Sequence, residues 1–199
     1  MDLLKGDLRI APPEPSPPLV IGLTGPNASG KGEVAKFLAA HRFAVHSLSD
    51  VVREAAGTAG LAPTRDNLIA TGIRMRTEQR PCALARTILP RLRGRGVVDS
   101  IRNPGEVEVL RGLPRFVLLG IDAPQALRFE RSLLRGRTGD GATLEEFARK
   151  EARENSTTVA GQQLVATLAL ADIVIGNDGS LDDLHRRVRE ALARAGVIL

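Results

Sequence analysis

The chain contains no tryptophan, no tyrosine and only five phenylalanines among its 199 residues. Proteins that hold single-stranded nucleic acid stack its bases on aromatic rings, so this scarcity argues against a nucleic-acid partner. One cysteine, Cys82, excludes an intrachain disulfide, and its neighbours Arg80, Pro81 and Ala83 offer no metal-ligand spacing. The histidines His41, His46 and His185 are scattered and show no zinc pattern. No run of about 18 apolar residues is present to cross a bilayer. The first ten residues also lack the apolar stretch and cleavage pattern of a secretory signal. The expectation is a cytoplasmic protein with no membrane partner.

Arginine, by contrast, is plentiful. A formal charge of +5, carried mostly by arginine, suits small anionic ligands such as nucleotides. An apolar content of 43% is enough for one sizeable core.

The segment APPEPSPP over 11–18 favours extended polyproline geometry, so residues 1–18 read as a flexible tail and 19–199 as one folded domain. Short branched-apolar runs at 19–24, 43–47, 96–100, 115–121 and 171–177 have strand length. Helical spacing fills the stretches between them, as in GKGEVAKFLAAHR, PCALARTILPRLR, PQALRFERSLLRG, TLEEFARKEARE and SLDDLHRRVREALARA. This alternation predicts an α/β fold: five parallel strands in one sheet, flanked by helices as a three-layer sandwich. Two interruptions exceed simple crossovers. One, at about 50–94, is a helical insertion bearing Arg74, Arg76 and Arg80, read as acceptor-binding. The other, at about 131–142, carries Arg131, Arg135 and Arg137 among glycines and reads as a movable lid.

The stretch GPNASGKGEV follows the first strand and opens a helix, the context that makes a phosphate-loop pattern credible. Gly25, Pro26, Asn27, Ala28, Ser29 and Gly30 form the loop, whose N–H groups can converge on phosphate oxygens. Lys31 adds a full positive charge at the helix start, where the dipole also favours anions. Gly32 stands where a magnesium-ligating hydroxyl is usual, and Glu33 follows it. Glu33 is either a water-mediated contact to Mg²⁺ or a helix-start carboxylate.

Further along, SDVVREA places Asp50 just past the second strand, where it either serves the reaction or caps a helix. GVVDSIRNPGEVEVL places Asp99 at a strand end, suited to hold Mg²⁺ through water, as Asp50 also could. Arg102 is then positioned to fork onto an acceptor phosphate, with Asn103 and Pro104 starting a helix.

From residue 19 to about 194 the chain resembles phosphate-loop proteins related to dephospho-coenzyme A kinases and (deoxy)nucleoside monophosphate kinases. The resemblance is carried by GLTGPNASGKGEV, SDVVRE, TRDNLIATGIRMR, VVDSIRNPGEVEVLR, IDAPQALRFERSLLRGR and ADIVIGNDGSLDDL. Glycine after the lysine is usual in nucleotide kinases, but Glu33 replaces their following threonine, and Ser49 replaces an aspartate of the dephospho-coenzyme A kinase pattern. The resemblance implies an ATP and Mg²⁺ dependent phosphotransferase. Its loop Asn177, Gly179 and Ser180 would cover the adenine, and Arg131, Arg135 and Arg137 would form the lid. Lys31, Asp50 and Arg102 would serve the transfer. The acceptor is a (deoxy)nucleoside monophosphate or, alternatively, dephospho-coenzyme A. A non-catalytic nucleotide sensor is the reading from another class, because a similar module fronts some deoxycytidylate deaminases. Such a deaminase, on a separate chain, is the partner enzyme that this resemblance allows.

Overall fold

The structure is a computed structural model that describes residues 17–136, 141–155 and 157–199. Most of the proposed tail, and Arg137 of the proposed lid, lie outside the described residues.

Five strands form one parallel sheet: β1 (Leu19–Thr24), β2 (Ala44–Ser47), β3 (Arg95–Ile101), β4 (Arg115–Asp122) and β5 (Ile173–Gly176). Their spatial order is β2-β3-β1-β4-β5. Every residue of central β1 is buried, which is why it reads as an unbroken apolar run rather than an alternating one. Its side chains still divide with period two. Leu19, Ile21 and Leu23 join one core with Val34, Leu38, Leu184 and Val188, whereas Val20 joins a second with Leu48, Leu84 and Leu110 on the opposite face.

The first face is covered by α1 (Lys31–Ala40) and α9 (Leu181–Arg194). The second is covered by α2 (Leu48–Thr58), α4 (Ala83–Ile88) and α5 (Pro104–Leu110). Between α2 and α4 runs α3 (Arg65–Gln79), so the expected insertion is helical. After β4 come α6 (Gln125–Leu134), α7 (Leu144–Glu154) and the six-residue α8 (Leu164–Ala169). Phe147 of α7 is buried and packs its ring 5.8 Å from that of Phe129 on α6.

The three-layer α/β expectation holds, and two details differ. The helix read over 81–93 ends as α-helix at Ile88 and tightens into a 3₁₀ turn, Leu89–Arg91. Pro90 has no N–H to continue an α-helical ladder. The short α8 had no periodic signal to announce it.

Caps mark the helix starts that face the strand ends. Ser47 accepts from the Ser49 N–H at α2. Asn103 with Glu106, and Ser180 with Asp183, form capping boxes at α5 and α9.

Candidate phosphate and acceptor site

The turn between β1 and α1 lies at the carboxyl end of the sheet, where parallel α/β folds bind ligands. Gly25 and Gly30 have φ of 134° and 107°, and even non-glycine Ala28 is left-handed at 57°. A Cβ on Gly25 would lie 2.0 Å from the Ile121 carbonyl oxygen, and one on Gly30 would lie 2.1 Å from Asn177 Nδ2. Both positions therefore need glycine on two grounds, backbone conformation and space.

Lys31 is buried, and its Nζ donates to the Gly25 and Pro26 carbonyls at 2.8 and 2.7 Å. Burial pulls its pKa down to about 7; Arg102 reinforces this, Asp99 opposes it, and Arg135 and Arg128 add to the lowering.

Residues 27–32 open onto a cleft of about 280 Å³. Ser47 and Ser49 line it at the start of α2, Arg53 lines it one turn later, and Asp99, Ser100 and Arg102 line it from the end of β3. Arg135 comes from the end of α6. The β3 residues are turned into the cleft by an irregularity of the ladder. Pairing between β1 and β3 shifts register between Gly22 and Thr24, and Ser100 takes φ of 65°. Asp99 Oδ1 accepts from the Ser100 N–H at 2.6 Å, and Ser47 Oγ donates to Ser100 Oγ at 3.4 Å.

Arg102 Nη1 donates to Gln162 Oε1 at 2.8 Å, while the nearest Glu154 oxygen is 3.7 Å away, beyond hydrogen-bond distance. Its Nε is buried and has no hydrogen-bond partner among the described residues. Burial lowers its pKa from the ordinary arginine value, against the pull of Glu154 and Asp99.

A second cavity of about 560 Å³ lies at the ends of β4 and β5, lined by Asp122, Gln125, Arg128, Gly176, Asn177 and Asp178 among others. Arg128 links it to the phosphate loop. Its Nε donates to the Ala123 carbonyl at 2.9 Å and its Nη1 to the Asn27 carbonyl at 3.2 Å, and it pairs with Glu151 of α7. Arg131 Nη1 donates to the Asn177 carbonyl at 3.0 Å. Burial lowers the Arg131 pKa, and Arg135 lowers it further.

The fold thus brings together residues 27–32, Asp99, Arg102 and Arg135, with Asn177 and Arg131 alongside. Several expected residues are placed elsewhere. Asp50 is absent from the cleft lining: Leu48, Val51 and Val52 fill the inner face of α2, so Asp50 turns outward and pairs with Arg53 at 2.5 Å. Glu33 lies on the outer face of α1 and pairs with Lys36 at 3.0 Å. Arg76 is buried against Glu106, and Arg74 and Arg80 are exposed outside the cleft lining. Gly179 and Ser180 line neither cavity; Ser180 is engaged with Asp183 in capping α9.

Sequence reasoning missed Arg53, Arg128, Ser100 and Gln162 as site residues. Arg53 had a signal, since it follows Asp50 by one helical turn. The others depend on tertiary contacts.

Among the described residues no cluster of three or more His, Cys, Asp or Glu could hold a metal by protein ligands alone. The cleft does offer one carboxylate, Asp99, with the hydroxyls of Ser29, Ser47, Ser49 and Ser100. Such a donor set fits a hydrated Mg²⁺ that keeps its waters and leans on nucleotide phosphates.

A glycine loop closed by a lysine, a strand-end aspartate and a five-stranded parallel sheet define a kinase-like nucleotide-binding fold of the phosphate-loop class. The chain belongs to the UPF0200 family. It is 35% identical over 182 residues to the UPF0200 protein of Methanoculleus marisnigri, covering 89% of this chain and 97% of that one. It is 32% identical over 185 residues to the UPF0200 protein of Pyrococcus horikoshii, covering 88% and 97%. No protein-family model matches.

Among solved structures, shikimate kinase from Acinetobacter baumannii is similar with a TM-score of 0.60, at 17% identity over 90% of this chain and 95% of that one. A gluconokinase from Sinorhizobium meliloti is similar with a TM-score of 0.53, at 16% identity over 89% and 93%. At such identities the likeness is one of fold. Among the described residues no helix is long and apolar enough to cross a membrane.

Proposed function

We propose that the protein is an ATP-dependent phosphotransferase that moves the γ-phosphoryl group to a small nucleotide-like acceptor, a (deoxy)nucleoside monophosphate. The observation that carries this reading is the cleft itself. Arg53 and Arg102 line the same 280 Å³ space as Lys31 but belong to α2 and the β3–α5 turn, apart from the phosphate loop. A protein that only held ATP would need no second cationic set there. The similarity in fold to kinases that act on small acceptors supports the reading.

In this scheme the N–H groups of residues 27–32 and the Lys31 ammonium hold the donor phosphates. Arg135, with Arg131 and Arg137, neutralises charge that develops on the transferring group, the kind of contact worth about 10³–10⁵ in rate in phosphoryl transfer. Arg53 and Arg102 hold the acceptor's anionic group. The cavity beside Asn177 and Asp178 takes the donor nucleoside. Asp99 would hold Mg²⁺, which when bound would offset charge on the donor phosphates.

The position of Asp50 favours a monophosphate over dephospho-coenzyme A. A hydroxyl acceptor needs a base, whereas a phosphate monoester is already ionised near neutral pH and needs none. Asp99 is the one carboxylate that lines the cleft among the described residues.

An acceptor panel with ATP and Mg²⁺, read by phosphate mass shift, tests the assignment. Transfer to a monophosphate, lost in Lys31→Ala with the fold intact, is the expected result. Turnover unchanged by Lys31→Ala would sink it. Tight ATP binding with no transfer to any acceptor would favour the nucleotide sensor instead.

A further inference from the structure

Arg76, which the sequence offered as an acceptor ligand, is 5% exposed, and its partner Glu106 is fully buried. Glu106 divides its carboxylate between two neighbours. Its Oε1 accepts from Arg76 Nε and Nη2 at 3.0 and 2.7 Å. Its Oε2 accepts from the backbone N–H groups of Arg102 and Asn103 at 2.9 and 3.1 Å. One carboxylate therefore ties α3 to the turn that carries Arg102.

Burying an ion pair is costly, and an apolar pair of equal volume often serves stability as well. Here α3 has made room for the pair. Gly72, one turn before Arg76, would place a Cβ 3.3 Å from Arg76 Nη1, although glycine weakens a helix interior. The start of α5 closes still more tightly on the chain just after α3, because a Cβ on Gly105 would lie 2.8 Å from Pro81 Cβ.

The other side of the turn is held as firmly. Asn103 Nδ2 donates to the carbonyls of Val159 and Gly161, each at 2.8 Å, and Arg102 Nη1 donates to Gln162. Between these two grips stands the Arg102 guanidinium, its buried Nε without a hydrogen-bond partner among the described residues. Its fork is useful to an anion only if the backbone beneath it is fixed.

We infer that Arg76 and Glu106 are positioning residues for the acceptor subsite: through the Arg102 and Asn103 amides they hold the Arg102 guanidinium ready for the acceptor's anionic group. The inference rests on the phosphotransferase reading for its substrate, and on the hydrogen bonds above for its geometry. It also makes α3 and Arg102 one rigid unit, so that whatever α3 contacts is registered against the acceptor anion.

The test uses the full chain, with inorganic phosphate as the bare anion and AMP and dCMP as acceptors. In Arg76→Met the Arg102 and Asn103 amides exchange with solvent at least tenfold faster, while those of α9 keep their protection. The dissociation constant for phosphate, followed at the Arg102 Nε–H resonance, rises about tenfold. The acceptor KM rises by a similar factor with the ATP KM within twofold. Arg76→Met/Glu106→Gln, which returns a neutral oxygen to the two amides, recovers most of the loss.

Faster exchange at 102 and 103 with phosphate affinity and acceptor KM unchanged overturns the inference. So does uniform acceleration that includes α9, since the pair would then serve stability alone. If Arg76→Met does not fold, Arg76→Lys decides: a threefold or greater loss of phosphate affinity supports positioning, and none refutes it. If the wild-type chain transfers phosphate to no acceptor, the phosphotransferase reading falls, while exchange and phosphate titration still judge the pair.

Discussion

Asn177 Nδ2 donates to the Ser29 carbonyl at 2.8 Å, joining the end of β5 to the phosphate loop across 148 positions of sequence. The amide also sits where any side chain on Gly30 would go. Asn177 is 6% exposed, so this contact is a buried prop under the loop. Asn177→Ala leaves the Ser29 carbonyl unpaired and is expected to cost about 1–3 kcal/mol of stability. Nucleotide affinity should fall about tenfold as the loop loosens. Chemical denaturation and equilibrium dialysis would check both, and unchanged affinity would remove the prop's functional meaning.

Lys31 supplies a pH dependence with a definite sign. Its pKa is lowered to about 7 from 10.5, so the ammonium of the free protein is lost as pH rises through 7. Bound phosphate favours the charged form and raises that pKa, so binding takes up a proton above pH 7. Nucleotide affinity then weakens by up to about tenfold per pH unit until the pKa of the complex is reached. For folding the unfolded chain is the better proton binder between pH 7 and 10.5, so this group alone makes stability rise with pH in that window. Calorimetric titration at pH 6.5 and 8.5, in buffers of different ionisation heat, should show both weakening and proton uptake. The permanently charged Lys31→Arg should show neither.

Arg53 has a 51% exposed side chain, and its pair with Asp50 is a surface contact worth about 0–1 kcal/mol. Arg53→Ala should therefore leave the melting temperature nearly unchanged while raising the acceptor KM about tenfold, with the ATP KM constant. Arg74→Ala and Arg80→Ala should change neither constant, because both residues lie outside the cleft lining. Equal effects from all three would mean that the acceptor sits elsewhere.

Gly32 has nothing within 4 Å of where a Cβ would stand. Gly32→Thr should consequently be tolerated and change helix stability by well under about 1 kcal/mol. The added hydroxyl restores the usual magnesium ligand, so the Mg²⁺ concentration needed for half-maximal nucleotide binding should fall severalfold. A loss of nucleotide binding would show that this position must remain open.

Much of this protein was legible in one dimension. The placement of the glycine loop, Lys31 and the strand-end Asp99 was legible because it depends on local spacing between a strand and a helix. The five strands were legible because buried parallel strands read as short branched-apolar runs. Arg53 and Arg76 illustrate the limit. Both are arginines on the helices that follow the second strand, and the sequence offered Arg76 as a ligand. Burial decided otherwise: α3 turns Arg76 inward to a carboxylate thirty residues away, while α2 turns Arg53 to the cleft.

The sequence by itself determined the fold class, the phosphate loop and the identity of the charges available, since all of these depend on local periodicity and local backbone needs. Which side chains distant in sequence meet was decided by the tertiary structure. Lys31 donates within its own loop, but Arg102 reaches Gln162, Arg128 reaches Asn27 and Asn177 reaches Ser29, partners 60, 101 and 148 positions away. Such pairings are set by how helices rotate to bury their apolar faces. An arginine's role, structural or ligand-binding, follows from that rotation.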